Sequence, residues 1–120
     1  MGLPSRHRLR KRSDFQTVYQ QGIRRYGRHL IIRALPIAPS VNPVPTKVGI
    51  SISRKVSKKA VVRNRLKRQI KSVLRYLFPE ISPNWLIVII VKPEAKECNY
   101  EHFLRELREL FIKTGIIYGN

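Results

Sequence analysis

Apolar and polar positions recur with different periods along the 120-residue chain, and those periods sort it into elements. Phe15, Val18 and Tyr19 follow Ser13 at helical spacing and Gly22 comes next as a stop, which predicts a short helix of about two turns over residues 13–22. Ser13 and Gln16 have the spacing of a capping box at its start. The β-branched run at 30–35 predicts a strand, with a shorter one at 24–26 before it. Pro36, Pro39, Pro43 and Pro45 make 36–46 a loop. Val48, Ile50 and Ile52 then alternate with Gly49, Ser51 and Ser53, the period of a half-buried strand. Residues 57–77 contain neither Gly nor Pro, and Val62, Leu66, Ile70, Val73, Leu74 and Leu77 form the apolar stripe of a long helix. Ser57 is its candidate N-cap and Pro79 its stop. The unbroken apolar run 85–91 suits a strand buried on both faces. Asn99 can cap a last helix with Tyr100, Phe103, Leu104, Leu107, Leu110 and Phe111 on one side and Glu101, Arg105 and Glu109 on the other.

The order α-β-β-β-α-β-α predicts an α/β sandwich, a single sheet packed by helices. At this length one domain fits, over residues 13–120, preceded by a flexible basic arm over 1–12. A hydrophobic share of 42% allows a modest core and argues against wholesale disorder. The single Cys98 excludes an internal disulfide and a Cys-based zinc cluster. The apolar run 85–91 is too short to span a bilayer, and no apolar stretch follows the basic N-terminus as a secretory signal requires. The expected compartment is the reducing cytoplasm.

Charge changes the picture more than composition does. The net charge is +18, and residues 1–79 carry 20 of the 25 Lys and Arg with Asp14 as their one acid. A solvated mixed surface would interleave acids with its lysines. Their absence leaves a self-repulsion that a polyanion relieves, nucleic acid first and an anionic membrane second. On the long helix Lys59, Arg63, Lys67, Lys71 and Arg75 repeat at i, i+4, with Asn64, Arg65 and Arg68 further round.

Enzymatic signatures are missing. There is no phosphate-binding glycine loop, no H-E-x-x-H and no cluster of acids. His7, His29 and His102 are far apart in sequence and read as surface or edge residues. Cys98 reads as a bystander thiol. Two-metal phosphodiester cleavage recruits several carboxylates, which the basic region lacks. If the protein takes part in RNA cleavage, another molecule supplies the chemistry.

Arg63-Asn64-Arg65, set within 53–56 and 60–68, resembles the signature of the bacterial ribonuclease P protein subunit. Arg8-Leu9-Arg10 before Asp14-Phe15, the strand Gly49 to Ser53, and the run from Ile87 to Pro93 extend the resemblance over most of residues 8–117. It implies a fold like the second domain of ribosomal protein S5, with a left-handed β-α-β crossover. It also implies a protein that is not itself catalytic, working as one copy with the catalytic RNA of ribonuclease P. That RNA carries out endonucleolytic removal of the 5′ leader of precursor tRNA, and Mg²⁺ is bound mainly by RNA and substrate. The chain departs from the family pattern where the link from Arg54-Lys55 to Ala60 is one residue longer, at Asn84-Trp85, and at Arg33, where some relatives carry an aromatic.

Under that resemblance Arg54, Lys55, Lys59, Arg63, Asn64, Arg65, Lys67, Arg68 and Lys71 are the RNA-binding candidates, with phosphates as their chief targets. A solvated helix face is the competing reading of the ladder. Phe15 and Tyr19 are candidates to line a cleft and stack on leader nucleotides, with ordinary core packing as the alternative. No membrane partner is expected. A small ribosomal-type RNA-binding protein without processing activity is the alternative function.

Overall fold

Alternating burial along the strands divides the core into two unequal layers. The structure is a computed structural model that describes residues 3–38 and 41–118. Its elements are α1 (Arg12–Gln21), β1 (Ile23–Tyr26), β2 (Leu30–Pro36), β3 (Lys47–Ser51), α2 (Ala60–Leu77), β4 (Trp85–Val91) and α3 (Tyr100–Thr114). Short 3-10 turns cover Ser5–His7, Phe78–Glu80 and Pro93–Glu97. The four strands form one sheet in the order β1-β2-β4-β3. β2 is antiparallel to both β1 and β4, while β3 runs parallel to β4 with α2 in the connection between them.

On one face, Leu30, Ile32 and Ala34 of β2 join Ile87, Ile89 and Val91 of β4. They pack against Leu66, Ile70, Val73, Leu74 and Leu77 of α2 and Phe103, Leu107, Leu110 and Phe111 of α3. On the other face Val88 joins Leu9 and Val18 in a smaller cluster under α1, with Phe15, Tyr19, Leu35, Leu86 and Ile90 half-buried around it. Helices on both faces explain why 85–91 reads as an unbroken apolar run: alternate side chains enter different layers. The predicted element order and the α/β sandwich are both found.

α3 begins as the sequence suggests. The Asn99 side chain accepts from the His102 N–H at 3.1 Å, and the His102 ring accepts from the Asn99 N–H at 3.2 Å. Two other caps are corrected. α1 starts at Arg12 with Lys11 as N-cap and no side-chain capping bond, so the Ser13–Gln16 box does not form. The chain is already fixed upstream, because buried Leu9 donates its N–H to the Val48 carbonyl at 3.1 Å. α2 starts at Ala60 after Lys59, and Ser57 lies in the preceding turn, where its Oγ accepts from the Lys59 N–H at 3.2 Å. β3 ends at Ser51, leaving Ile52 and Ser53 outside the strand.

The expected flexible arm is packed where it is described. Leu3 and Leu9 are both buried, His7 Nδ1 lies 2.8 Å from the Thr46 carbonyl, and Arg8 Nε donates to the Leu3 carbonyl at 2.6 Å. Two leucines anchor a segment that its arginines made look solvated. Met1 and Gly2 of that arm, Pro39 and Ser40 of the expected loop, and Gly119 and Asn120 lie outside the described residues. The rest of the proline-rich loop is tied down by Asn84, whose Oδ1 accepts from the Val44 N–H at 2.7 Å.

Candidate nucleic-acid interface

The strand register builds the first part of the site. Gly49 pairs with Val88, Val88 with Arg33, and Arg33 with Arg24. Directly paired residues share a face of the pleat, so these four make one row across the whole sheet, about 14 Å for three strand spacings. α1 lies along this row. The Phe15 ring covers Gly49, Val18 packs with Val88, and the Tyr19 ring lies 5.1 Å from the Arg33 guanidinium carbon. Gly49 is required here: a Cβ on it would come within 2.4 Å of Phe15 Cζ and 3.3 Å of Leu9 Cβ. Arg33 Nη2 also donates to the Tyr19 main-chain carbonyl, at the end of the helix, while its Nε is buried without a partner.

A second row, two residues along each strand, runs Ser51, Ile90, Ile31, Tyr26 on the same face. Its first three members are half-buried and Tyr26 is exposed. α1 covers the first row and lies beside this second one. Phe15 and Tyr19 are half-buried between the small cluster and solvent. After β3, Arg54 and Lys55 stand exposed on a turn closed by the Val56 N–H to Ser53 carbonyl bond at 3.1 Å. Val56 is buried and fixes that turn to the core.

The second part is the open face of α2. Its apolar stripe enters the main core, which leaves Asn64, Lys67 and Arg68 exposed and Lys71 half-buried at the margin. Lys67 and Lys71 meet Arg8, Arg10, Phe15 and Gly49 around a cavity of about 320 Å³ at the β3 edge. Burial pushes the Lys71 ammonium below the usual lysine range, and the like charges of Lys67 and Arg8 push it the same way. Four cations therefore converge beside Phe15. Two ion pairs, Lys92–Glu94 and Arg108–Glu80, use carboxylates beyond residue 79 and cations outside α2, and the Glu106 carboxylate lies 2.9 Å from His29 Nδ1.

Not every candidate joins this cluster. Residues two apart on a helix sit on nearly opposite flanks, and the structure separates Arg63 from Arg65 in this way. Arg63 Nη1 donates to the Ser57 carbonyl at 2.8 Å and braces the entry turn. Arg65 Nη2 donates to the Lys96 carbonyl at 2.9 Å, on the flank facing the Pro93–Glu97 turn. Lys59 is exposed ahead of the helix. Sequence reasoning missed Arg8 and Arg10 as neighbours of Lys67 and Lys71, and missed the row of Ile31, Ile90 and Ser51 beside α1. Packing of Leu9 on β3 places the arginines and strand register aligns the row, and the sequence displays neither. Cys98 is buried, and burial with the nearby Glu106 carboxylate pushes its thiol up, the state of an inert thiol.

Comparison with known proteins adds three findings. A protein-family model described as Ribonuclease P matches residues 3–115. A ribonuclease P protein component of Microcystis aeruginosa is 58% identical over 120 residues, covering 100% of both chains. Among solved structures, the RNase P proteins of Staphylococcus aureus and Thermotoga maritima superpose with TM-scores of 0.79 and 0.77 at 23% identity. They cover 92% and 90% of this chain and 97% of each neighbour.

Proposed function

The chain belongs to the ribonuclease P protein component family, and from that premise we propose how its two surfaces divide the work of removing the 5′ leader from precursor tRNA. The α2 face, through Asn64, Lys67, Arg68 and Lys71 with Arg8 and Arg10, binds phosphates of the catalytic RNA. Arg63 and Arg65 add donors at the two margins of that face, and Lys59 adds charge ahead of it. The cleft beside α1 takes the single-stranded leader, with Phe15 and Tyr19 stacking on bases and Arg54 and Lys55 guiding the backbone. One protein serves one RNA, in the cytoplasm. Among the described residues no helix is long and apolar enough to cross a membrane.

The observation that carries this reading is the juxtaposition at the β3 edge. Half-buried Phe15 lines one cavity with four converging cations, and Asp14 is the one acid in the first 79 residues. Stacking surface next to phosphate-binding charge suits single-stranded nucleic acid. The donor set does not fit a resident Mg²⁺: hard cations need oxygen ligands, and this surface offers ammonium and guanidinium groups. The reading leaves Mg²⁺ and the hydrolytic step to the RNA and substrate, with the protein binding and positioning. A ribosomal-type role has no comparable support, since the family match covers residues 3–115.

Reconstitution tests the proposal. Rigorously RNA-free protein should leave precursor tRNA intact. Added to a bacterial ribonuclease P RNA at low Mg²⁺, it should restore cleavage to the mature 5′ end. Cleavage by the protein alone, surviving micrococcal nuclease, would overturn the division of labour, and so would an RNA whose activity the protein leaves unchanged.

A further inference from the structure

The second row does not stop beside α1. It continues to the sheet edge, where Tyr26 of β1 ends it with 63% of its surface exposed. Arg24, two residues earlier on the same face, ends the neighbouring row that α1 covers. Its Nη1 donates to the Tyr26 hydroxyl at 2.9 Å, and its guanidinium carbon lies 6.0 Å from the ring centroid. An aromatic ring and a paired guanidinium thus stand at the open end of the track. They repeat, one strand further out, the Tyr19–Arg33 pair inside it.

The hairpin that carries this pair is held firmly. The Glu106 carboxylate of α3 reaches the β1–β2 turn and accepts from the His29 N–H at 2.9 Å and the Leu30 N–H at 2.6 Å, with His29 Nδ1 also at 2.9 Å. Gly27 leaves room for this contact, because a Cβ there would lie 2.6 Å from Glu106 Oε2. A braced edge strand keeps an exposed tyrosine oriented, which lowers the ordering cost of stacking a base on it.

We propose that Arg24 and Tyr26 form an outer nucleotide-stacking station that extends the single-strand track past the α1 cleft and takes a base of the precursor's 5′ leader. The station rests on the leader-binding reading above. Single-stranded RNA is the occupant that the surface chemistry favours. An aromatic face accepts any base, and Arg24 supplies phosphate-binding charge on the same face, while Arg25, paired with Ile32, lies on the other and Arg28 lines the α3-side cavity with Glu94, Glu97, Glu106 and Glu109. The station is continuous with the second row through Ile31, the residue paired with Tyr26.

The test uses the holoenzyme reconstituted with a bacterial ribonuclease P RNA and precursor tRNAs with a ladder of leader lengths. Wild type should gain affinity as the leader lengthens and then level off. Tyr26→Ala should match it without a leader and with the shortest leaders, then fall behind about fivefold or more on longer ones. Tyr26→Trp should keep the gain, and thermal melts should show both variants folded. If leader length leaves wild-type affinity unchanged, the leader-binding reading fails and the station with it. If length matters but Tyr26→Ala follows wild type throughout, the station alone is overturned. An equal loss at every length, including none, would overturn it too, because Tyr26 would then touch the catalytic RNA or the tRNA body.

Discussion

Gly49 shows how a single position sets the cleft. The Phe15 ring occupies the space a Cβ would need, so Gly49→Ala must push the ring off β3 or distort the strand. Overpacking of this kind costs about 1–3 kcal/mol. The urea midpoint should fall accordingly, and leader-dependent affinity should fall further than affinity for mature tRNA. Lys71 makes the opposite trade. Its folded pKa is lowered, so the folded protein holds the proton less tightly than the unfolded chain does. The penalty is present at neutral pH, and stability from this group rises as pH climbs through the lowered value toward the usual lysine range. Lys71→Met should therefore melt higher than wild type at neutral pH, with the gap closing in alkali, while its affinity for the catalytic RNA drops. A variant that melts lower at neutral pH, or binds RNA as tightly as wild type, would remove Lys71 from the strained cluster.

Elements were legible in proportion to their periodicity. β4 was read at its observed limits because a seven-residue apolar run has no competing pattern, and α3 because Asn99 supplies its own capping partner. Helix starts at Ser13 and Ser57 were misplaced because a hydroxyl at the right spacing was outvoted by tertiary anchors, Leu9 on β3 and Val56 in the core. Leu9, with Leu3, also turns an expected loose arm into part of the cation cluster. Within α2 the sequence shows the charge but not which cations are already engaged. Arg68 is exposed on the open face, while Arg108 of α3 is paired with Glu80 at 2.8 Å. Arg68→Ala should make the slope of log K against log salt for the catalytic RNA about one unit shallower. Arg108→Ala should leave that slope unchanged. Equal slopes in wild type and Arg68→Ala would take Arg68 out of the interface.

At the scale of the whole molecule, charge follows the chain and crosses the layers, since α1 and α2 lie on opposite faces of the sheet. The basic 79 residues build α1, the first three strands and α2, while the acids beyond them serve α3 and its braces, such as Glu106 on the β1–β2 turn. The remaining residues supply β4, an inner strand of the core, and α3, which packs on it. The central claim is that the cleft beside α1 reads the leader. The most direct measurement is the ratio of holoenzyme affinities for precursor and mature tRNA, taken for wild type, Phe15→Ala and Tyr19→Ala well below their melting temperatures. Stacking is worth about 1–3 kcal/mol per base, so each variant should lower the ratio about fivefold or more while binding mature tRNA as wild type does. If both affinities fall together, in step with the melting temperature, Phe15 and Tyr19 are core residues and the claim is wrong.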